Sequence, residues 1–342
     1  MSSPPENAPS TESPRGLPET AATRGRPLSA TRPSVNPAPG VAVWGALAIV
    51  YVVWGSTYLA IRIAVETVPP FLGAALRFGT AVPLLAALLA WRRGPGVLRI
   101  TPRQFGACAV VGVLLLNGGN GLVVAVEAAG LPSGVAALLI ATVPLLVVVL
   151  RLVTGDRPGW RTLVGVLVGF AGLAWLIASR GGGGTVRVDL ALVAVFAAAC
   201  WSTGSFLSQR LPLPPDPFAG SVYQMLAATA VFAVAGLASG EPAKLAHSHV
   251  SARSVLALAY LTVAGSLLAY TSFVWLLRNA PISLVSTYAY VNPAVAVALG
   301  ALFAHERITA AVLAGGSVIV VGVALVVSTE RRRAPEPDSD QA

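Results

Sequence analysis

Residues 54–77 read WGSTYLAIRIAVETVPPFLGAALR, and they set the pattern that the rest of the chain follows. An apolar helix ends at the paired prolines 69–70, and a second apolar helix then carries Arg77 inside it. The opening recurs loosely as WSTGS at residues 201–205, and the same offset applied to Arg77 reaches Gln224 in another apolar run. The stretch therefore predicts a helical unit that is used twice, with a charge in one copy and an amide at the matching depth in the other.

The composition restricts the chain to one class of protein. Of its 342 residues, 55% are hydrophobic and only 11% are charged, and the mean hydropathy is +0.75. Soluble domains carry about 25% charged residues. The apolar residues come in runs of about twenty, the length that crosses a bilayer core. Strands of a membrane barrel would be about ten residues long with alternating polarity, so we expect an all-α, multi-pass membrane protein.

Ten apolar segments account for most of the chain, and short links rich in Pro, Gly and Arg separate them. The segments lie near residues 42–62, 70–91, 104–126, 131–151, 160–179, 188–208, 218–238, 252–276, 282–303 and 308–328. Residues 1–40 and 329–342 are polar and cannot bury a core, so we expect disordered tails there. The predicted organisation is a first five-helix repeat at 41–180 and a second at 187–328.

Matched residues in the two halves indicate how the repeats are related. Pro144 in the fourth segment corresponds to Pro293 in the ninth, and residues 156–157, Asp-Arg, correspond to residues 306–307, Glu-Arg. Because five is an odd number, the second copy enters the membrane from the opposite face, which is an inverted repeat of the kind found in secondary transporters. Most Lys and Arg residues fall in links that are cytoplasmic if both termini are cytoplasmic, and this distribution predicts that orientation.

These residues resemble the EamA family of the drug/metabolite transporter superfamily. The resemblance covers about residues 42–328 and depends on these positions: Trp54-Gly55-Ser56-Thr57 before Arg62, Arg77-Phe78, Pro144, Gly155-Asp156-Arg157, Pro293 and His305-Glu306-Arg307. It implies a ten-helix exporter of small metabolites in the cytoplasmic membrane, with a central cavity between two five-helix halves. The second repeat departs from the first, because Gln209 and Gln224 stand where the first copy has Arg62 and Arg77.

Arg77 is the sharpest candidate for a functional residue. It lies about 10 Å below the end of its helix at 1.5 Å per residue, and ionisable groups at such depth face a cavity or a partner. Two interpretations are open. Arg77 is either the counter-charge for a substrate carboxylate or phosphate, or one half of a structural ion pair with Glu66 or Glu127.

Other polar and aromatic side chains inside the apolar runs resemble the lining of a cavity for a small amphipathic molecule. As candidates for substrate binding, together with Arg77, we take Trp54, Tyr58, Asn117, Asn120, Gln224, Tyr270, Tyr288 and Asn292. Glu127 lies near a helix end, where it either anchors the helix at the interface or carries a coupling proton.

Two features are candidate hinges. The sequence NGGNG at residues 117–121 is expected to interrupt the third helix, which makes Gly118 and Gly119 hinge candidates beside a cavity; the alternative is close helix packing. Pro144 and Pro293 are expected to kink their helices.

The sequence holds no motif that indicates catalysis or a cofactor. It lacks the nucleotide-binding pattern GxxxxGK[ST], and its two cysteines and three histidines show no metal-ligand spacing. The net charge of +9 lies largely in arginines of the links, which argues against nucleic acid as a partner. We therefore expect a secondary transporter in the inner membrane, exporting an amino-acid-like or drug-like metabolite by alternating access. Its expected partners are that substrate and membrane lipid, with protons and the oligomeric state left open. The alternatives are a membrane scaffold, an intramembrane enzyme, or a carrier of nucleotide sugars or phosphate esters.

Overall fold

The computed structural model describes residues 40–178, 187–247, 249–285, 287–306 and 308–333, which all belong to one unit, residues 36–342. The main helices of this part are α1 (Gly40–Ala64), α2 (Pro70–Arg93), α3 (Pro102–Ala128), α4 (Ser133–Val153), α5 (Trp160–Ala178), α6 (Val188–Ser208), α7 (Pro217–Ala238), α8 (Ala252–Asn279), α9 (Tyr288–Phe303) and α10 (Ala310–Arg333). Three short helices, Pro95–Leu98, Glu241–His247 and Ile282–Val285, lie in the links. The tail expected at residues 1–39, most of the tail expected at 329–342, and Arg307 lie outside the described residues.

The described residues are helical, as the sequence predicts, and contain no strand. Eight of the main helices are long and apolar enough to cross a membrane, and α5 and α9 contain the shorter apolar stretches Trp160–Leu176 and Val291–Phe303. Within the described residues, eight of the ten expected spans are therefore found by length and composition. The expected count of ten spans and the inverted relation of the repeats stay predictions.

Helix starts follow from local sequence. Pro70, Pro102 and Pro217 each occupy the first turn of their helix, where a missing N–H costs nothing. Thr101 and Gln104 form a reciprocal capping box at the start of α3. Asp216 accepts N–H bonds from the first turn of α7. The links therefore contain the signals that begin the neighbouring helices.

Three of the long helices contain π-helical segments, at Val50–Trp54 in α1, Val113–Gly121 in α3 and Leu261–Tyr270 in α8. Such segments are rare and frequently occur at functional sites. The NGGNG sequence lies within the segment of α3, so this helix widens there but continues without the expected interruption. The segments of α3 and α8 occupy corresponding helices of the two repeats.

Helices at corresponding places in the two halves pack against each other: α2 lies on α7, and α5 lies on α10. Between α5 and α10 the backbones nearly touch, because a Cβ added to Gly322 would lie 2.4 Å from the Gly169 nitrogen. A Cβ on Gly165 would lie 2.9 Å from the Val326 nitrogen. Small residues such as Gly165 and Gly169, four positions apart, allow this close approach of the two helices.

Contacts between links group the helix ends into two faces. On the first, which we call the Glu241 face, the carboxylate of Glu241 accepts N–H bonds from Phe71 and Leu72 at the start of α2, at 3.2 and 2.7 Å. Glu306 does the same at the start of α4, with the N–H groups of Ser133 and Gly134 at 2.7 and 3.1 Å. Carboxylates are stabilising at helix N-termini, so on this face two links of the second half hold two helices of the first.

The opposite face, which we call the Asp216 face, is joined by side chains of a different kind. Arg93 at the end of α2 forms an ion pair with Asp216 in the α6–α7 link. Arg278 at the end of α8 donates to the carbonyl oxygen of Pro215 at 2.6 Å. On this face, arginines at helix ends therefore bind the α6–α7 link, one through the Asp216 carboxylate and one through a carbonyl oxygen.

Candidate functional site

A cavity of about 60 Å³ lies between the two halves of the described chain. Four helices of the first half and two of the second supply its walls, which consist of Trp54, Thr57, Tyr58, Ile61, Arg77, Gly119, Asn120, Val123, Ile140, Trp201, Tyr288 and Asn292. The wall therefore includes part of the π segment of α3 and the residue that ends the π segment of α1.

Arg77 is the charged residue in this wall, and only 5% of it is exposed. Its Nε donates to Ser266 Oγ of α8 at 2.8 Å, and its Nη1 donates to Asn120 Oδ1 of α3 at 3.2 Å. The guanidinium also lies over the ring of Phe78, 4.7 Å from its centroid. No carboxylate among the described residues pairs with Arg77.

The ion pairs considered for Arg77 are therefore absent from the described residues. Glu66 instead lies 3.8 Å from Arg253, on the surface. Burying an unpaired charge costs several kcal/mol, and two neutral side chains offset only part of that cost. Arg77 has the surroundings of a cation that keeps its charge available for an anion.

Aromatic rings also contribute to the wall of the cavity. Trp54 contacts Trp201, Phe273 and Tyr288, with centroid distances of 5.3, 4.9 and 5.6 Å. Near them Asn292 is buried, and its Oδ1 has no hydrogen-bond partner among the described residues. An acceptor, a cation and aromatic faces thus converge on one small space, as they do in sites for small polar molecules.

The structure brings together most of the candidates from the sequence. Six candidates for substrate binding and one hinge candidate line the cavity: Trp54, Tyr58, Arg77, Asn120, Tyr288, Asn292 and Gly119. Asn117 lies outside it, and its Nδ2 donates to the carbonyl oxygen of Ala228 in α7 at 3.1 Å. Its Oδ1 is buried and has no hydrogen-bond partner in the described part of the chain.

Gln224 and Tyr270 also lie away from the cavity and form a separate pair. The Tyr270 hydroxyl donates to Gln224 Oε1 at 2.5 Å, and both side chains are buried. Gly112 of α3 lies against the backbone of Gln224, since a Cβ there would lie 2.4 Å from the Gln224 carbonyl oxygen. Arg77 and Gln224 thus occupy matching places in the two repeats but have different surroundings.

The candidate hinges have packing roles in this conformation. A Cβ on Gly118 would lie 2.8 Å from Cys200 Cβ, and one on Gly119 would lie 2.6 Å from Trp201 Cε3. Pro144 lies at the start of Val143–Val153, just after α4 turns at residues 141–142, whereas Pro293 lies within α9. Bending at these positions stays a prediction.

Glu127 lies at the end of α3 and is fully buried, with 0% exposed. Neither of its carboxylate oxygens has a hydrogen-bond partner among the described residues. Arg62 Nη1 donates to the main-chain oxygen of Glu127 at 3.3 Å. Glu127 is therefore not a surface anchor, and it does not line the Arg77 cavity.

Sequence reasoning did not select Thr57, Trp201 or Ser266. Trp201 could have been selected, because it occupies the position in the second repeat that Trp54 occupies in the first. The match between the two stretches is loose, however, and it does not predict that the two rings are in contact. Ser266 is a small hydroxyl among many, and its bond to Arg77 depends on the packing of α8 against α2.

The sequence matches the profile of the EamA-like transporter family over residues 42–178 and 190–328. The chain belongs to this family. An Escherichia coli K12 protein named "Uncharacterized inner membrane transporter YedA" is 37% identical to this EamA chain over 83% of it and 90% of the relative. The "Probable amino-acid metabolite efflux pump" of the same organism is 25% identical over 82% of this chain and 93% of its own length.

A solved crystal structure has the same fold. It is 22% identical in sequence, and the superposition has a TM-score of 0.61 over 87% of this EamA chain and all of the other. The expected EamA resemblance is confirmed, and the family indicates a membrane transporter rather than an enzyme.

Proposed function

We propose that this EamA chain is a secondary transporter that exports a small metabolite carrying a carboxylate, such as an amino acid, across the inner membrane by alternating access. The observation that carries the proposal is Arg77, a buried cation with neutral partners in the wall of a cavity between the two halves. A guanidinium binds a carboxylate through paired charge-assisted hydrogen bonds. Export and the amino-acid class are supported by the Escherichia coli relative that is named a probable amino-acid metabolite efflux pump.

The size of the cavity supports a mechanism with moving halves. At about 60 Å³ it is much smaller than the roughly 300–1,000 Å³ of typical ligand sites. An amino acid therefore requires the helices to separate at one face. The packing of α2 on α7 and of α5 on α10 supports the inverted repeat, because exchanging the two halves leaves these pairs unchanged.

The proposed orientation in the membrane has both termini in the cytoplasm. With both termini cytoplasmic, the Glu241 face is the outer face and the Asp216 face is the cytoplasmic one. This assignment is supported by Arg92, Arg93, Arg99 and Arg103, which lie at or near the Asp216 face, where the positive-inside distribution places them. Cysteine accessibility at each face in intact cells tests it directly.

The test of the function is transport by the purified full chain in liposomes. We expect uptake of one or more radiolabelled amino acids from a panel that includes other small carboxylates. Arg77→Gln should lower that uptake by about 10- to 100-fold, since a hydrogen bond to a charged group is worth about 1.5–3 kcal/mol. Arg77→Lys should retain part of it, because the charge stays while the paired geometry is lost.

Arg92→Gln is the matched control, since Arg92 is an exposed arginine at the end of the same helix. Its uptake should equal that of the unaltered protein. Normal uptake by Arg77→Gln would remove Arg77 from the binding site. Failure of the unaltered protein to move any member of the panel would instead reject the substrate class.

A further inference from the structure

A second buried polar cluster lies at the Glu241 face, close to Tyr58 in the wall of the Arg77 cavity. Its centre is Glu127, whose two carboxylate oxygens are buried and have no hydrogen-bond partner among the described residues. Leaving an ionised carboxylate buried and unpaired costs several kcal/mol. A side chain in this position is suited to take up a cation.

The neighbours of Glu127 come from both halves of the chain. Glu306, in the α9–α10 link, is close enough for its charge to repel that of Glu127. Ser133 Oγ is buried without a partner in the described structure, and it borders the same space as Glu306 Oε2, since a Cβ on Gly300 would lie 3.0 and 2.6 Å from these two atoms. Two carboxylates and a hydroxyl therefore gather at the start of α4.

Arg62 and Tyr58 of α1 complete the surroundings. Both interact electrostatically with Glu127 in the described part of the chain, as Glu306 does. Arg62 donates a hydrogen bond to the main-chain oxygen of Glu127 and none to its carboxylate in the described structure. Two carboxylates and one guanidinium leave one negative charge in excess, and a single proton would cancel it.

The hydrogen bonds distinguish the two carboxylates. Glu306 accepts N–H bonds with both oxygens at a helix N-terminus, an arrangement that suits an ionised carboxylate. Glu127 has no such donors in the described structure. We propose that Glu127, with Glu306 beside it, is the proton-binding site that couples transport to a proton gradient, a role that rests on the transport function proposed above.

The site is built so that opening the Glu241 face would change access to it. Glu306 belongs to the second half, whereas Glu127 and Ser133 belong to the first. Separation of the halves at this face withdraws Glu306 from the start of α4 and admits water to Glu127. A proton can then move from water to a carboxylate oxygen of Glu127, and it returns to water when the site next opens.

Infrared spectroscopy of the full chain in liposomes tests the proton site without a substrate. At neutral pH we expect the C=O stretching band of a protonated carboxyl group, and we expect its loss in Glu127→Gln. In Glu127→Asp, which keeps a carboxyl group, the band should shift instead of vanishing. Glu66→Gln is the control, because Glu66 is 42% exposed and lies near Arg253.

An unchanged band in a folded Glu127→Gln protein overturns the proposal. The proposal is also overturned if the band disappears when sodium replaces choline at constant pH, because the site would then bind sodium. If Glu127→Gln fails to fold, Glu127→Asp decides the question. The proposal is then overturned if the band of Glu127→Asp has the same frequency as that of the unaltered protein.

Transport tests the coupling separately. With an amino acid that the unaltered protein moves, an imposed pH gradient should raise uptake severalfold in that protein and in Glu66→Gln. It should have no effect in Glu127→Gln, which should still exchange internal for external amino acid. Full stimulation of Glu127→Gln by the gradient would overturn the coupling role. Absence of any uptake would reject the transport function, while the infrared result would still decide the proton site.

Discussion

Arg77 and Glu127 are both buried, and neither forms an ion pair among the described residues, but their surroundings give this shared property different consequences. Arg77 donates to two neutral side chains from different helices, so its position is fixed while its charge is not cancelled. Glu127 has no partner for its carboxylate in the described structure, so its position is fixed only by packing. The first arrangement suits recognition of an anion, and the second suits uptake and release of a proton.

The buried hydrogen bond between Tyr270 and Gln224 is expected to contribute to the stability of the protein. Tyr270→Phe leaves Gln224 Oε1 buried without its donor, so we expect a loss of about 1–3 kcal/mol in the free energy of unfolding. Gln224→Leu combined with Tyr270→Phe should recover much of that loss. Unfolding of the detergent-solubilised protein measures both effects. Because neither residue lines the cavity, a variant that stays folded but loses amino-acid binding would contradict our assignment.

At the scale of the helices, most of the fold could be predicted from the sequence and part of the site could not. Helix positions follow from apolar length and from prolines in first turns, which are local signals. The π segments had no such signal, since only the one at Val113–Gly121 contains glycines in a row. Arg77 could be predicted as a functional residue because it lies deep in an apolar helix. Its hydrogen bond to Ser266 could not be predicted, because it joins α2 to α8 and depends on tertiary packing.

Helix packing also supports a prediction. Gly322→Ala places a Cβ against the backbone of Gly169, so α5 and α10 must separate or shift. We expect a loss of about 1–3 kcal/mol in stability, as for other overpacked sites. Gly106→Ala is the matched control, because Gly106 is helical and a Cβ there meets nothing within 4 Å. Alanine favours a helix over glycine by about 0.5–1 kcal/mol. Equal effects of the two substitutions on thermal unfolding would argue against a tight α5–α10 contact.

For the molecule as a whole, the two faces differ in what holds them closed. Carboxylates of Glu241 and Glu306 bind helix starts at one face, and the ion pair of Arg93 with Asp216 joins helix ends at the other. In alternating access these two sets of contacts must break in turn. Their strengths therefore set which face opens more often, and weakening one set should favour opening at that face alone.

A cysteine at Thr57, inside the cavity, can report this balance once Cys108 and Cys200 are replaced by alanine. Glu241→Ala removes a helix-capping contact worth about 0.5–2 kcal/mol, which corresponds to a shift of about 2- to 30-fold between two states. A membrane-impermeant maleimide should then label the cysteine faster from the Glu241 face. Arg93→Ala should speed labelling from the Asp216 face instead. If either variant sped labelling equally from both faces, the contacts would only stiffen the protein, and two alternately opening states would not describe it.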